Sequence, residues 1–397
     1  MMEDTIVLYP SPGRGHLFCM VELGKQILKH HPSISITIII STLPTEPFPV
    51  DDPYFSTLPT TYPSITLIHL PKVSLPPITS PLDFVSSFFE LPELSNTNLH
   101  QTLLNLSKSF NIKALIIDFF CSAAFEFVSS RHNIPIYFFF TSGASGLSVF
   151  LHLPVLDKIF TKSLKDLDVI IDLHGIFKIP SKAMPAAICD RSHKVYRYFL
   201  DTAKLMMKSA GIVINTSELL EHRALQAIQE GKCDPNEPVP PLFCVGPLVT
   251  TGESKSEHEC LAWLDSQPSR SVLFLCFGSL GVFDSRQLKE TAIALEKSGV
   301  RFLWVVRTPR ADSQIQARTY FLVDEMKVAL PLREAEDEPF VSAPELEERL
   351  IELMNSKKGE AVRERVLKLS EDAVAAKSDG GSSCVAMAKL LDSFKKG

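Results

Sequence analysis

Along the first 250 residues, short apolar runs alternate with longer stretches in which apolar residues recur every three or four positions. The runs fall at 5–9, 35–41, 65–70, 114–118, 136–140 and 211–215. They are continuous in Ile, Val, Leu and Phe and do not alternate with polar residues. That is the pattern of strands in a parallel sheet covered on both faces. Helical spacing lies between them at 82–107, 123–131 and 197–210, and in Leu17, Met20, Val21, Leu23, Ile27 and Leu28 after the first run. Strand and helix in alternation predict an α/β fold.

The pattern breaks between 231 and 267, where Pro235, Pro238, Pro240, Pro241 and Pro247 cluster ahead of a polar stretch. This reads as a linker. A second α/β set then opens with a strand at 271–277, a helix at 285–298 and a strand at 301–307. Positions 308–319 are polar, and 320–330 reads as helical or extended. Charged helical patterns follow at 343–354, 359–376 and 382–395. Two strands are too few for a stable doubly wound domain, so the second domain reads as truncated. The expected division is 1–245, a linker at 246–270, a truncated domain at 271–380 and a C-terminal helix at 381–397. Residues 43–82 carry ten prolines and read as a long binding loop on the ligand side of the sheet.

Composition narrows the function. The 397 residues carry a net charge of -6 and no long basic run, which argues against a nucleic acid or an anionic membrane surface as partner. Residues 134–156 lack Asp, Glu, Lys and Arg, but Pro135, Gly143, Gly146, His152 and Pro154 suit a buried strand, a turn and a short helix. Eight cysteines stand without CxxC or Cys/His ligand spacing and read as free thiols in a reducing compartment. With no basic leader at the N-terminus, the expected location is cytoplasmic.

The candidate chemistry begins at His16. It ends the turn Pro10-Ser11-Pro12-Gly13-Arg14-Gly15-His16 and sits at a helix N-terminus. The helix dipole there disfavours imidazolium and favours a neutral ring that can accept a proton. The alternative is a histidine that caps the turn or packs in the core. Asp118 ends the fourth run, on the same rim of the sheet, where it could orient His16, or instead cap a helix N-terminus or pair with a nearby Lys or Arg. Thr141 and Ser142 end the next run and could meet a ligand hydroxyl or cap the helix. Gly278 and Ser279 form a turn ahead of a helix, suited to a phosphate or to a plain βα connection. The dinucleotide fingerprint fails because Phe18 occupies the third glycine position. There is no P-loop, no HExxH and no nucleophile elbow.

Together these residues resemble the plant UDP-dependent glycosyltransferases of the flavonoid-glucosylating type. The likeness is carried by the His16 turn, Ile117-Asp118-Phe119-Phe120-Cys121, Phe139-Phe140-Thr141-Ser142-Gly143 and Val213-Ile214-Asn215-Thr216. It continues in Val245-Gly246-Pro247-Leu248, Cys260-Leu261-Ala262-Trp263-Leu264-Asp265, Val272 to Ser279 and Gly380-Gly381-Ser382-Ser383. The resemblance implies a GT-B fold, with two Rossmann-like parallel-sheet domains. It implies inverting, metal-independent transfer of glucose from UDP-glucose, or another UDP-sugar, to a phenolic hydroxyl of a flavonoid-like acceptor by a monomer. His16 would be the base and Asp118 its orienter. Gly15, Phe119, Phe120 and Phe139 would line the acceptor site, and Thr141, Gly278 and Ser279 the donor site. The family's signature box, with its Trp-x-Pro-Gln and His-Cys-Gly-Trp-Asn-Ser elements, would lie between Arg307 and the segment around Phe321 and is absent. The resemblance therefore implies weakened donor binding. The competing expectation is a non-catalytic protein that binds phenolics or a partner.

Overall fold

The computed structural model describes residues 2–44, 52–174, 176–249, 258–278, 283–306, 321–334 and 340–395. The chain forms two compact units, Met1–Thr251 with Asp372–Gly397, and Gly252–Glu371.

The first unit holds one sheet of seven strands, all parallel. Six occupy the apolar runs: β1 (Glu3–Tyr9), β2 (Ser35–Ile40), β3 (Ile65–His69), β4 (Phe110–Asp118), β5 (Ile136–Phe140) and β8 (Gly211–Ile214). Between the last two, β6 (Ile170–Leu173) and β7 (Phe177–Pro180) form a separate antiparallel hairpin. The sheet is completed by β9 (Leu242–Cys244) at one edge, inside the proline-rich stretch that reads as a break. The strand order is β3-β2-β1-β4-β5-β8-β9. Chain direction across the sheet reverses between β1 and β4. That switch opens a crevice at the C-terminal strand ends, where ligands of such sheets bind.

Helices cover both faces, which is why the strands are continuously apolar: α1 (Arg14–His30), α2 (Pro81–Leu106), α3 (Ala123–Ser129), α4 (Ala144–Ile159), α5 (Lys194–Met206) and α6 (Glu218–Gln229). The helix expected to be short after residue 143 runs for 16 residues through Pro154. One face of the sheet packs Ile6, Leu8, Ile116, Tyr137, Phe139 and Val213 against Met20, Val21 and Leu23 of α1. The C-terminal helix packs there too, through Met387, Leu390, Leu391 and Phe394.

The proline-rich segment is partly ordered by aromatic packing. Residues 45–51 of it lie outside the described residues. Phe55 and Leu58 are buried in the core, and Phe18 packs on Tyr54 and Phe55. Tyr54 Oη donates to the buried Glu22 carboxylate at 2.7 Å, and Lys25 donates to the same oxygen at 2.9 Å. These contacts strap residues 52–62 onto α1.

In the second unit β10 (Val272–Leu275) and β11 (Arg301–Trp304) pair in parallel, and they are its only strands among the described residues. Leu273, Leu275 and Trp304 pack against α7 (Ser285–Ser298) and α8 (Ala343–Asn355) through Ala294, Leu295, Leu346 and Leu350. Phe274 points the other way and is 60% exposed. The helix α9 (Lys357–Lys377) follows, then α10 (Ser382–Ser393), the helix that returns to the first unit. The polar stretch at 308–319 lies outside the described residues.

Candidate active site

Three adjacent strands end together at the crevice. The turn after β1 starts α1 with Gly13 at the N-cap, which places His16 in the first helical turn. Asp118 is the last residue of β4, beside β1 in the sheet. Thr141 follows β5, which pairs with β4.

These ends converge on one imidazole. His16 Nδ1 lies 2.9 Å from Asp118 Oδ2 and 3.2 Å from Thr141 Oγ1. Asp118 has no exposed surface, whereas the His16 side chain is 24% exposed. An ionised carboxylate can only accept, so Nδ1 carries the proton and Nε2 is the basic nitrogen. The orienting and the capping readings of Asp118 hold together. Its Oδ1 accepts from Phe120 N–H at 3.1 Å, capping the turn at Phe119–Cys121, while Oδ2 faces the ring.

The Asp118 charge is felt nearby. Burial, then Asp118 and Glu22, push the Cys19 thiol up to about 11. Burial and Asp118 also raise Cys121. Neither thiol is therefore a thiolate at neutral pH. Among the described residues no three His, Cys, Asp or Glu side chains group as a metal site, and no helix is long and apolar enough to cross a membrane.

Aromatic rings border the pair. Phe120 meets the His16 ring edge-on at 5.3 Å and touches Phe88 and Phe89. Phe119 is buried behind it among Phe89, Phe140, Phe150 and Phe199. Gly15 sits in the first turn of α1 with open space where a side chain would point. Phe139, expected beside the acceptor, is placed elsewhere. It has no exposed surface and lies in the core under α1 and α10, because side chains alternate along β5 and position 139 faces inward with Tyr137. Thr141, expected on the donor side, stands against His16. Gly278 lies in the second unit, exposed, with φ +71° after β10. Ser279 lies outside the described residues.

Two residues escaped the sequence reading. Glu221, buried in α6, accepts from the backbone N–H groups of Ala144 at 2.7 Å and Ser145 at 3.0 Å, and so caps α4 from another helix. It has no role assigned from sequence. Asn215, in Val213-Ile214-Asn215-Thr216, has none either.

No protein-family profile matches the chain. Its sequence is 40% identical to UDP-glycosyltransferase 88B1 of Stevia rebaudiana over 465 aligned positions, covering 99% of each chain. The chain belongs to the plant UDP-glycosyltransferases. An anthocyanidin 5,3-O-glucosyltransferase of a Rosa hybrid cultivar is also 40% identical, with both chains fully covered. The fold agrees with that of a UDP-glucosyltransferase from Polygonum tinctorium, solved with 3,4-dichloroaniline, at TM-score 0.88 and 25% identity over 99% of this chain and 98% of the other. It agrees with Phytolacca americana UGT2, solved with UDP-2fluoro-glucose and pterostilbene, at TM-score 0.86 and 27% identity over 99% and 100%. Membership makes the chain an enzyme by family, with the GT-B fold.

Proposed function

We propose that this family member transfers glucose from UDP-glucose to a phenolic hydroxyl of a flavonoid-like acceptor, with inversion and without a metal, as a cytoplasmic monomer. The observation that carries the reading is the buried Asp118 carboxylate at 2.9 Å from His16 Nδ1. It leaves Nε2 to take the phenolic proton as the oxygen attacks the anomeric carbon. The bond from that carbon to the diphosphate oxygen breaks, and UDP leaves with the electron pair. A phenol has a pKa near 10 against about 6.5 for histidine, so the proton moves as attack develops, not before it. Asp118 then stabilises the imidazolium. Phe120, edge-on to His16, gives a flat acceptor an apolar surface beside the base.

The alignments run over 465 and 480 positions, whereas the chain has 397 residues. Relatives therefore carry dozens of residues opposite gaps here. Among the described residues the sheet of the second unit has two strands, with Phe274 open to solvent, which supports a donor domain that has lost elements between Arg307 and Phe321. We take transfer to be slow for that reason. The same observation favours a second reading, in which the chain binds phenolics without catalysis.

The test is glucoside formation from UDP-glucose and a flavonol, followed by chromatography, in the wild-type chain and His16→Ala. Slow product formation that disappears in the variant supports transfer. Flavonol binding with no product supports the second reading. An equal rate in both proteins removes His16 from the chemistry.

A further inference from the structure

The motifs Val213-Ile214-Asn215-Thr216 and Val245-Gly246-Pro247-Leu248 take no part in the chemistry above, and one side chain joins them. Asn215 follows β8. Its Nδ2 donates to the Thr141 carbonyl at 3.1 Å, and its Oδ1 accepts from Leu248 N–H at 2.6 Å. Its own N–H donates to the Phe140 carbonyl at 3.1 Å. The residue therefore grips the end of β5 by main chain and side chain together.

Nδ2 also lies 3.8 Å from Cys19 Sγ on α1. The Thr141 carbonyl and the Leu248 N–H demand opposite chemistry, a donor for the one and an acceptor for the other. Only a carboxamide supplies both at this length. Nor can the amide turn over without losing both bonds. Gly246 seals the far side: a Cβ there would fall 2.5 Å from Asn215 Oδ1. Gly246 is itself braced, since Ser383 Oγ of the C-terminal helix donates to its carbonyl at 2.6 Å. The residue so held, Thr141, carries the hydroxyl 3.2 Å from His16 Nδ1.

We infer that Asn215 is a positioning residue for the transfer, fixing Thr141 and through it the plane of the His16 ring. The inference rests on the reading of His16 as the base. A displaced Thr141 removes one of the contacts that hold Nδ1, and the ring gains freedom to rotate away from its line to the acceptor. Small misplacements of a reacting group are costly in rate.

The test uses the full chain with Asn215→Asp, which keeps the Leu248 bond and the packing on Gly246 but removes the donor to Thr141. The readout is the NMR signal of the His16 ring across pH, which needs no turnover. The expected result is a displaced His16 resonance and titration curve in Asn215→Asp and in Thr141→Val. The double variant should go no further than Thr141→Val alone, because the two act in series. Where turnover is measurable, kcat should fall roughly tenfold or more with acceptor KM within about twofold. Asn215→Ala, checked for folding by circular dichroism, is the second variant and should displace His16 in the same way. An unmoved His16 signal in a folded variant, or effects that add in the double variant, overturns the inference. Should His16→Ala leave glucoside formation intact, the reading of the base fails while the coupling of Asn215 to His16 is still decided by the spectrum.

Discussion

Asp118 Oδ2 lies 2.9 Å from His16 Nδ1, and the carboxylate has no exposed surface. One oxygen orients the imidazole while the other caps the turn at Phe120 N–H. This division lets the two tasks be separated by mutation.

Asp118→Asn keeps an oxygen for the cap but removes the charge that stabilises the imidazolium. Glucoside formation should fall by about two to four orders of magnitude relative to the wild-type chain. The thermal transition should stay close to that of the wild type. Steady-state rates and a melting curve on the same preparation check this, and a collapse of stability would show that the cap, not the charge, is what Asp118 chiefly supplies.

Glu221 should prove a stability residue. Its carboxylate satisfies two N–H groups at the start of α4 from outside that helix. Glu221→Ala leaves both unpaired in a buried place and should cost about 1–3 kcal/mol for each group lost. Gly143→Ala should reproduce part of that loss, since its Cβ would fall 2.7 Å from Glu221 Oε1 and nearer still to Oε2. Urea titration measures both, and wild-type midpoints would remove Glu221 from the account.

Acid should loosen the hairpin side of the first unit. The His174 ring packs edge-on to His152 at 4.2 Å, and burial, then His152, holds His174 down to about 4. The unfolded chain, with His174 near 6.5, binds the proton first. Stability is therefore complete above about pH 6.5 and falls as the pH drops from there toward 4. His174→Asn suits the position, because residue 174 has φ 60° and Asn tolerates that region. The variant should lose less stability than the wild type between pH 6.5 and 4. Melting temperatures across that range decide it, and parallel curves would mean that the pair does not titrate with folding.

The fold was legible where burial on both faces wrote itself into continuous apolar runs. All six runs of the first unit became strands, and β10 and β11 did so in the second. Short edge elements were not legible. β9 has three residues hemmed by Pro240, Pro241 and Pro247, so punctuation outweighed its apolar signal. The hairpin was written as alternation, with Ile171 and Leu173 buried and Ile170 and Asp172 exposed, over too few residues to stand out.

At the site, His16 and Asp118 were legible because chain order and strand ends place them on one rim. Phe139 was misplaced because a family motif gives a residue type without the parity of its strand. Thr141 was seen as a ligand contact, yet its partner in the chain is His16. Asn215 and Glu221 act across 74 to 77 residues of sequence. Nothing local in an asparagine or a helical glutamate announces such a partner.

The central claim is that an acceptor side and its base persist beside a donor side that has lost its cradle. Calorimetric titration of the purified chain with a flavonol and, separately, with UDP-glucose tests it most directly. Saturable heat from the flavonol, with none from UDP-glucose at concentrations that saturate the longer relatives, is the predicted result. Saturable UDP-glucose binding equal to theirs would contradict it.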